Sequence, residues 1–250
     1  VVVSLFVANS EIPETVVVAV GVLKDPGPNI FTILLAITST FYSQSNKQRG
    51  LGEFTKVVIY DGINLELIKS DKNSVNITGK NSDYVVVKNK NGDLKIRLNL
   101  EKRFSGDRTK VTLYYTSLYN IISHEGSNIF SKDTIRQADI SVKAHTGSSQ
   151  SLTVSLNTLN TTAATGSNIN ISGFVEYHDT SSASGAKINA KELLATETYA
   201  NATTGGIVNV SVKKELEANS KLGGIINVYQ RTQKIVEAKT LGGTINYLYK

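Results

Sequence analysis

Two of the three histidines in this sequence stand far enough apart along the chain to meet only through a repeating fold. His124 and His145 are separated by 21 residues, and Glu125 directly follows the first of them. Two imidazoles and a carboxylate form a donor set that binds zinc and related metals. The alternative is a pair of surface histidines at a variable corner. We favour this alternative and predict neither a metal nor a cofactor.

Patterns that could support catalysis are weak. Ser184 and Lys187 have a Ser-x-x-Lys spacing, but in β-lactam enzymes this motif requires a helix start to aim the hydroxyl, and here it lies in a β-rich repeat. The acids of the C-terminal half do not recur at matched repeat positions as the pair that a glycosidase uses. These acids are Glu176, Asp179, Glu192, Glu197, Glu215, Glu217 and Glu237. The sequence leaves open a pair formed between coils, and we predict no catalytic residue.

Tyrosines of the C-terminal half could form platforms on which sugars stack. Their spacings of 22, 30, 18 and 2 residues do not fit a single row, so we expect them to cap or edge the fold. They are Tyr177, Tyr199, Tyr229, Tyr247 and Tyr249.

Composition favours an all-β protein. The 250 residues include 19 Gly and 3 Pro, lack Cys, Met and Trp, and are rich in Val, Ile, Thr, Asn and Ser, which favour strands and turns. The absence of Cys excludes disulfides, thiolate metal sites and thiol catalysis. A net charge of +6 would suit anionic glycans, lipopolysaccharide or nucleic acid. Because Lys and Arg are interspersed with Asp and Glu, we predict a solvated mixed-charge surface and no nucleic-acid partner.

A leader for export is predicted before residue 44. Residues 30–42 form a 13-residue apolar run followed by polar residues, which is the length of a signal-peptide core and too short to span a bilayer. The alternative is a buried strand. We predict a signal peptide at residues 29–43, an upstream extension or disordered segment at residues 1–28, and no membrane span in the mature chain. Export would place the protein in the periplasm or at the cell surface.

A repeat of about 19 to 20 residues dominates the C-terminal half. Glycines recur at successive distances of 21, 19, 19, 20, 18 and 19 residues, at Gly126, Gly147, Gly166, Gly185, Gly205, Gly223 and Gly242. In the last five copies a β-branched residue follows three positions after the glycine, and an asparagine follows four positions after it. The asparagines are Asn170, Asn189, Asn209, Asn227 and Asn246.

A repeat of this length cannot bury its own apolar face, so neighbouring copies must stack. Three short strands and three turns fit one copy, which predicts a parallel β-helix at residues 121–250. The repeated asparagines would form either a ladder of amides bonded from coil to coil or an outward row of ligand-contacting groups. We favour the ladder, because amides in register satisfy one another.

Residues 44–120 predict a less regular β lobe in front of the β-helix. Alternating apolar residues indicate strands at residues 54–60, 63–68, 74–78, 84–87, 94–98 and 110–115. Asn91-Gly92 is the connector most typical of a tight hairpin.

The chain resembles the putative auto-transporter adhesin head domain, also called the GIN domain or DUF2807, which is common in exported proteins of Bacteroidetes. The resemblance covers roughly residues 53–248 and rests on the opening segment 54–67, the segments 91–96 and 118–129, and the closing Gly242-Gly-Thr-Ile-Asn246. It implies a right-handed parallel β-helix, export and an adhesive role, and it supplies no catalytic residues.

Together these patterns predict an exported scaffold that is not an enzyme and that binds an extracellular glycan or protein. A polysaccharide-processing β-helix enzyme and an envelope module that binds only proteins are the alternatives. An open edge at the last coil would allow a homo-oligomer to form.

Overall fold

The computed structural model describes residues 47–249, so the predicted leader at residues 29–43 and the segment at residues 1–28 lie outside the described residues. Eighteen strands and three short 3-10 turns make up the described fold, which confirms the all-β prediction. The strands are β1 (Lys47–Gly50), β2 (Lys56–Ile59), β3 (Asn64–Lys69), β4 (Ser74–Gly79), β5 (Val85–Lys90), β6 (Asp93–Leu98), β7 (Thr109–Tyr115), β8 (Asn120–Ser123), β9 (Asn128–Ser131), β10 (Ile135–Arg136), β11 (Asp139–Ala144), β12 (Ser149–Ala163), β13 (Asn168–Ser182), β14 (Lys187–Thr203), β15 (Ile207–Lys221), β16 (Ile225–Val228), β17 (Lys234–Thr240) and β18 (Thr244–Tyr247). The turns are Ser82–Tyr84, Leu100–Lys102 and Gly106–Arg108.

The C-terminal half winds as a β-solenoid of about seven turns, and a curled sheet precedes it. The long strands β12, β13, β14 and β15 pair in parallel, each with the next. The predicted parallel β-helix is therefore confirmed. Between residues 47 and 249, no helix is both long and apolar enough to cross a bilayer.

The core of the solenoid is a stack of equivalent apolar side chains. The β-branched residue three positions after each repeat glycine pairs in register with its counterpart in the next coil, and every member of this column is buried. The column consists of Ile169, Ile188, Val208, Ile226 and Ile245. Burial of each such side chain contributes roughly 1.5 to 3 kcal/mol, which explains why this position tolerates so little variation within the repeat.

The coil that begins at Gly147 keeps the register although its sequence departs from the repeat. Gln150 occupies the column position, pairs with Ile169 and is fully buried. Its amide nitrogen donates to the Ser123 hydroxyl at 2.8 Å and to the Lys143 carbonyl at 2.7 Å. The amide nitrogen is therefore satisfied by a local polar network, whereas the buried amide oxygen has no hydrogen-bond partner among the described residues.

One corner of every coil turns on two successive residues in the left-handed conformation. The seven repeat glycines have φ between 67° and 78°, and the residue before each glycine also has positive φ. A side chain would meet open space at most of these glycines, so the conformation rather than crowding favours glycine there. Asp61 and Gly62 make the same turn one coil before the first repeat glycine.

Parallel pairing joins the first lobe to the solenoid. Strand β2 pairs with both β6 and β8, and β3 pairs with β7 and β9. Strands β5 and β6 form the predicted antiparallel hairpin, in which Asn91 and Gly92 both have positive φ, as a type I′ turn requires. The outward side chains of this hairpin lie beside the Asp61-Gly62 corner of the solenoid.

Candidate functional site

The repeated asparagines form a chain of hydrogen bonds along the stack. Each amide nitrogen donates to the amide oxygen of the asparagine one coil earlier, from Asn246 to Asn227 at 2.9 Å and from Asn227 to Asn209 at 2.8 Å. The bonds from Asn209 to Asn189 and from Asn189 to Asn170 are both 3.3 Å long. These amides use their donors and acceptors on one another, which leaves less capacity for a ligand.

The histidines at the first corners stack ring on ring. His124 and His145 occupy equivalent positions after β8 and β11, and their ring centroids lie 5.0 Å apart with an interplanar angle of 17°. Tyr60 covers the other face of His124 at 5.0 Å and 8°. Burial and the neighbouring His145 lower the pKa of His124, while burial and Lys143 lower the pKa of His145. Neutral rings stacked in this way hold one another in place.

This stacking differs from a chelating arrangement, in which ring nitrogens converge on one point. Within the described part of the chain, no group of three or more His, Asp or Glu side chains could hold a metal ion. The structure thus brings His124 and His145 together, as the spacing allowed, and places a tyrosine rather than a third ligand beside them.

The third histidine is a core residue. His178 is buried on β13, and its Nε2 lies 2.9 Å from the hydroxyl of Thr161 in the coil before it. Its Nδ1 has no hydrogen-bond partner. Burial lowers the pKa of His178 to about 3, so the ring is neutral at pH 7. Ser184 lies at an exposed solenoid corner and Lys187 begins β14, so neither is placed on a helix.

Two carboxylic acids meet across coils beside the histidine stack. Asp61 and Glu125 are equivalent corner residues that both precede a glycine and have positive φ. Asp61 is buried, and its Oδ2 accepts a hydrogen bond from the Leu98 amide at 3.0 Å. Arg103 Nε lies 3.8 Å from the other oxygen of Asp61. Burial and the charge of Asp61 raise the pKa of Glu125.

This pair answers the question that the sequence left open about acids on neighbouring coils. Asp61 precedes the recognisable repeat, so no periodicity linked it to Glu125. The available signal was the Asp61-Gly62 turn, which matches Glu125-Gly126 in residue type and conformation.

The acid pair lies in a cleft of about 510 Å³ between the first corner and the β5–β6 hairpin. We call it the corner cleft. Its cationic lining residues are Lys88, Lys90, Lys95, Arg97 and Arg103, and the remaining lining residues are Tyr60, Asp61, Val86, Asp93 and Glu125. Alternation along the antiparallel hairpin places Lys88 opposite Lys95 on one face. Five cations against three carboxyl groups leave a formal excess of two positive charges (5 − 3 = 2).

Asp93 contributes little negative charge to this cleft, because Lys56 binds its carboxylate at 2.7 Å. Asp61 is engaged by the Leu98 amide and lies beside Arg103. The lysines of the hairpin and Arg97 therefore dominate the outer part of the corner cleft. Converging ammonium and guanidinium groups favour a carboxylate, sulfate or phosphate.

A second, shallower cleft of about 290 Å³ lies over β13, β14 and β15. Exposed Tyr177 and Tyr199 line it, together with acids on all three strands. The two rings pair with different neighbours, Tyr177 with Glu197 and Tyr199 with Asp179, so they occupy neighbouring rows. This agrees with the expectation that the tyrosines do not form a single row.

Two acids in this second cleft lie on neighbouring coils, an arrangement that the sequence left open. Glu197 and Glu215 pair directly across β14 and β15, although the repeat pattern shows no evident pair. The pairing of these strands is irregular, and the two acids are only 18 residues apart in sequence. A search at the repeat period of about 19 to 20 residues therefore misses the match. Lys234 binds Glu215 at 2.6 Å on the next strand.

Comparison with solved structures shows the same fold in bacterial proteins of low sequence identity. A putative adhesin from Bacteroides fragilis is 15% identical with a TM-score of 0.75, over 83% of this chain and 98% of that chain. A putative adhesin from Parabacteroides merdae is 14% identical with a TM-score of 0.65, over 82% and 96%. One from Parabacteroides distasonis is 18% identical with a TM-score of 0.59, over 82% and 97%. No curated protein matches the sequence.

The model of one protein family matches residues 53–231, which span the first lobe and most of the solenoid. That match includes the corner cleft, the histidine stack and four of the five repeated asparagines. The chain therefore belongs to the family described as putative auto-transporter adhesin, head GIN domain.

Proposed function

We propose that this protein is an exported, non-catalytic binding module of the cell surface or periplasm, and that its corner cleft binds an anionic group of an extracellular glycan. The observation that carries the proposal is the convergence of five cationic side chains on one concave site. The family and three of the structural neighbours are called putative adhesins, which supports a role in surface binding. The apolar run at residues 30–42 supports export.

The geometry suits an anionic sugar because the cations are carried on rigid elements. Lys88, Lys95 and Arg97 project from a hairpin that β2 holds in parallel register. Arg103 is oriented by the buried carboxylate of Asp61. A planar guanidinium can donate two parallel hydrogen bonds to a carboxylate or sulfate, whereas an ammonium supplies a less directional charge. The half-buried Tyr60 ring adds a hydroxyl-bearing surface at the inner wall.

A screen of the purified protein on an array of paired glycans tests this proposal. Each pair has one neutral member and one member that carries a uronate or a sulfate. The double variant Lys95→Gln/Arg97→Gln removes two exposed cations from the cleft, and we expect it to weaken binding of the anionic members about tenfold or more, since hydrogen bonds to charged groups contribute about 1.5 to 3 kcal/mol each. The matched control is Lys213→Gln/Lys214→Gln, which removes two exposed cations from the solenoid.

Equal loss in both double variants would show that net charge, rather than the corner cleft, governs binding. If neither anionic nor neutral glycans bind, the glycan proposal fails and a protein partner becomes the better candidate.

A polysaccharide-processing enzyme is the second candidate, because a carboxylic acid with a raised pKa lies beside another carboxylate in the cleft. Glycosidases hold their two carboxyl groups at least about 5 Å apart so that substrate or water fits between them. Asp61 is not free to take part in such a pair, because its carboxylate is buried, accepts the Leu98 amide and lies beside Arg103. The arrangement therefore favours binding. Release of new reducing ends from a bound glycan, lost in Glu125→Gln, would establish the enzyme instead.

A further inference from the structure

The loop between β6 and β7, residues 99–108, carries large apolar side chains in solvent. We call it the tip loop. Leu100 is 80% exposed and Phe104 is 66% exposed, in a protein whose other large apolar residues are mostly buried in the stack. Single exposed apolar residues are ordinary on protein surfaces. Two of them projecting from one ten-residue loop need a physical reason.

The tip loop is anchored at both ends. Asn99 caps the first turn, since its Oδ1 accepts the Lys102 amide at 3.2 Å. Asn81 donates to the Ser105 carbonyl at 2.6 Å, and Gly106 donates to the Asp61 carbonyl at 2.9 Å. A side chain at Gly106 would lie 2.4 Å from that same carbonyl oxygen. The close contact ties the loop to the first corner of the solenoid.

Phe104 is held in a backbone conformation that is unfavourable for a bulky residue. Its φ is 61°, in the left-handed region that glycine and asparagine occupy most readily. The ring gains no burial in return, because it remains mostly exposed. Backbone strain of this kind is concentrated at functional sites, where the surrounding structure holds the strained residue in place.

Three cationic side chains share the loop with the two apolar ones, and one of them, Arg108, lies 3.8 Å from the Asp107 carboxylate. Lys102, Arg103 and Arg108 lie in the loop, against the acids Glu101 and Asp107, which gives a formal charge of +1 (3 − 2 = 1). The guanidinium of Arg103 lies 5.4 Å from the centroid of the Phe104 ring. Arg103 also lines the corner cleft, so the positive surface of the loop continues into that of the hairpin.

We propose that the tip loop is a membrane-surface contact, in which Leu100 and Phe104 enter the interface of a bilayer while Lys102, Arg103 and Arg108 pair with anionic head groups. Exposed apolar side chains that share a loop with cationic ones have the chemistry of an interfacial membrane anchor. A protein partner would need a surface of roughly 800 Å² on each side, whereas these two side chains project singly from a narrow loop. The contact shares Arg103 with the corner cleft, but Leu100 and Phe104 lie outside the cleft lining, so their replacement tests the membrane contact separately from glycan binding.

Co-sedimentation with lipid vesicles tests this contact directly. The purified protein is incubated with vesicles of phosphatidylcholine alone or with phosphatidylglycerol added, and the bound fraction is measured. We expect at least tenfold stronger partitioning onto the anionic vesicles, and at least tenfold loss in Leu100→Ser/Phe104→Ser. The matched control is Leu222→Ser/Leu241→Ser, two leucines 52% and 76% exposed that also have positive φ and lie at the far end of the stack.

A second readout separates insertion from headgroup binding alone. The chain has no tryptophan, so Phe104→Trp introduces a single reporter, with Leu241→Trp as its control. We expect a blue shift of emission on anionic vesicles for the first variant only. An unchanged emission at position 104, equal binding of the Leu100→Ser/Phe104→Ser variant, no binding to either vesicle, or full displacement by soluble glycerol phosphate would each overturn the proposal.

Discussion

The carboxyl group of Glu125 lies near enough to that of Asp61, one coil earlier, for the two charges to interact, and both line a cleft rich in lysines and arginines. The two residues occupy the same corner position, and the same left-handed turn presents both side chains. Stacking of equivalent positions therefore brings together two like charges that are distant in sequence. This contact is costly when both groups are ionised.

Replacing Glu125 by glutamine is expected to stabilise the fold at neutral pH. The pKa of Glu125 is raised in the folded state, so the folded protein holds this proton at pH values where the unfolded chain has released it. The resulting cost to stability appears as pH rises through the ordinary pKa of a glutamate, and it is fully present above the raised pKa. Urea denaturation should show Glu125→Gln to be more stable than wild type at pH 7, with the difference shrinking at pH 4.

The exposed Glu192 provides the control, because Glu192→Gln should leave stability unchanged at both pH values. A loss of stability in Glu125→Gln at pH 7 would show that the carboxylate is favourable where it lies.

His178 is expected to dominate the loss of stability on acidification. The unfolded chain takes up a proton on this ring as pH falls below about 6.5, whereas the folded protein does so only near pH 3. Stability is therefore lost as pH falls through this window, by about 2 kcal/mol between pH 7 and pH 5. His178→Leu should remove that part of the loss while leaving stability at pH 7 nearly unchanged, because Leu159 pairs with the same position on β12. An identical pH dependence in variant and wild type, measured by urea denaturation, would contradict this account.

The asparagine ladder is expected to contribute to the free energy of unfolding. Asn209 is buried and both donates to Asn189 and accepts from Asn227. Asn209→Ala breaks two hydrogen bonds and leaves groups of its neighbours unpaired, which should cost about 2 to 3 kcal/mol. Asn246→Ala breaks the single described bond at the end of the row and should cost about 1 kcal/mol. If chemical denaturation shows negligible loss of stability in both variants, and both lose ligand binding, the asparagines are ligand contacts rather than a structural ladder.

Replacement by alanine is expected to destabilise the protein much more at one corner glycine, Gly206, than at another, Gly185. At Gly185 the added carbon meets open space, and only the positive φ opposes it, for a cost of about 1 kcal/mol. At Gly206 the added carbon would lie 2.2 Å from the Ser182 carbonyl oxygen on the neighbouring coil. Because backbone must move there, we expect Gly206→Ala to cost roughly 3 kcal/mol or more. Thermal unfolding that ranks the two variants in the opposite order would contradict the close approach of neighbouring coils.

The sequence predicts the solenoid well because each coil repeats one physical requirement. A β-branched residue such as Ile188 must fill the same buried column in every turn, and a glycine such as Gly185 must adopt the same left-handed corner. These constraints recur at a nearly fixed interval and so are visible in a single chain.

The candidate sites were harder to predict because they depend on departures from the repeat. Asp61 reaches Glu125 only because β2 pairs with β8, a register set by the first lobe. The match between Glu197 and Glu215 depends on irregular pairing that changes the spacing. The exposure and strain of Phe104 follow from loop anchors that are distant in sequence, so nothing in its neighbourhood signals them.

The most direct test of the central proposal is a calorimetric titration of the purified protein with a uronic-acid oligosaccharide and with the same oligosaccharide after reduction of its carboxyl groups. We expect the acidic form to bind, the reduced form to bind at least tenfold more weakly, and Lys95→Gln/Arg97→Gln to abolish the difference without any release of reducing ends. Equal binding of both forms, or an unchanged preference in that variant, would contradict recognition of an anionic glycan by the corner cleft.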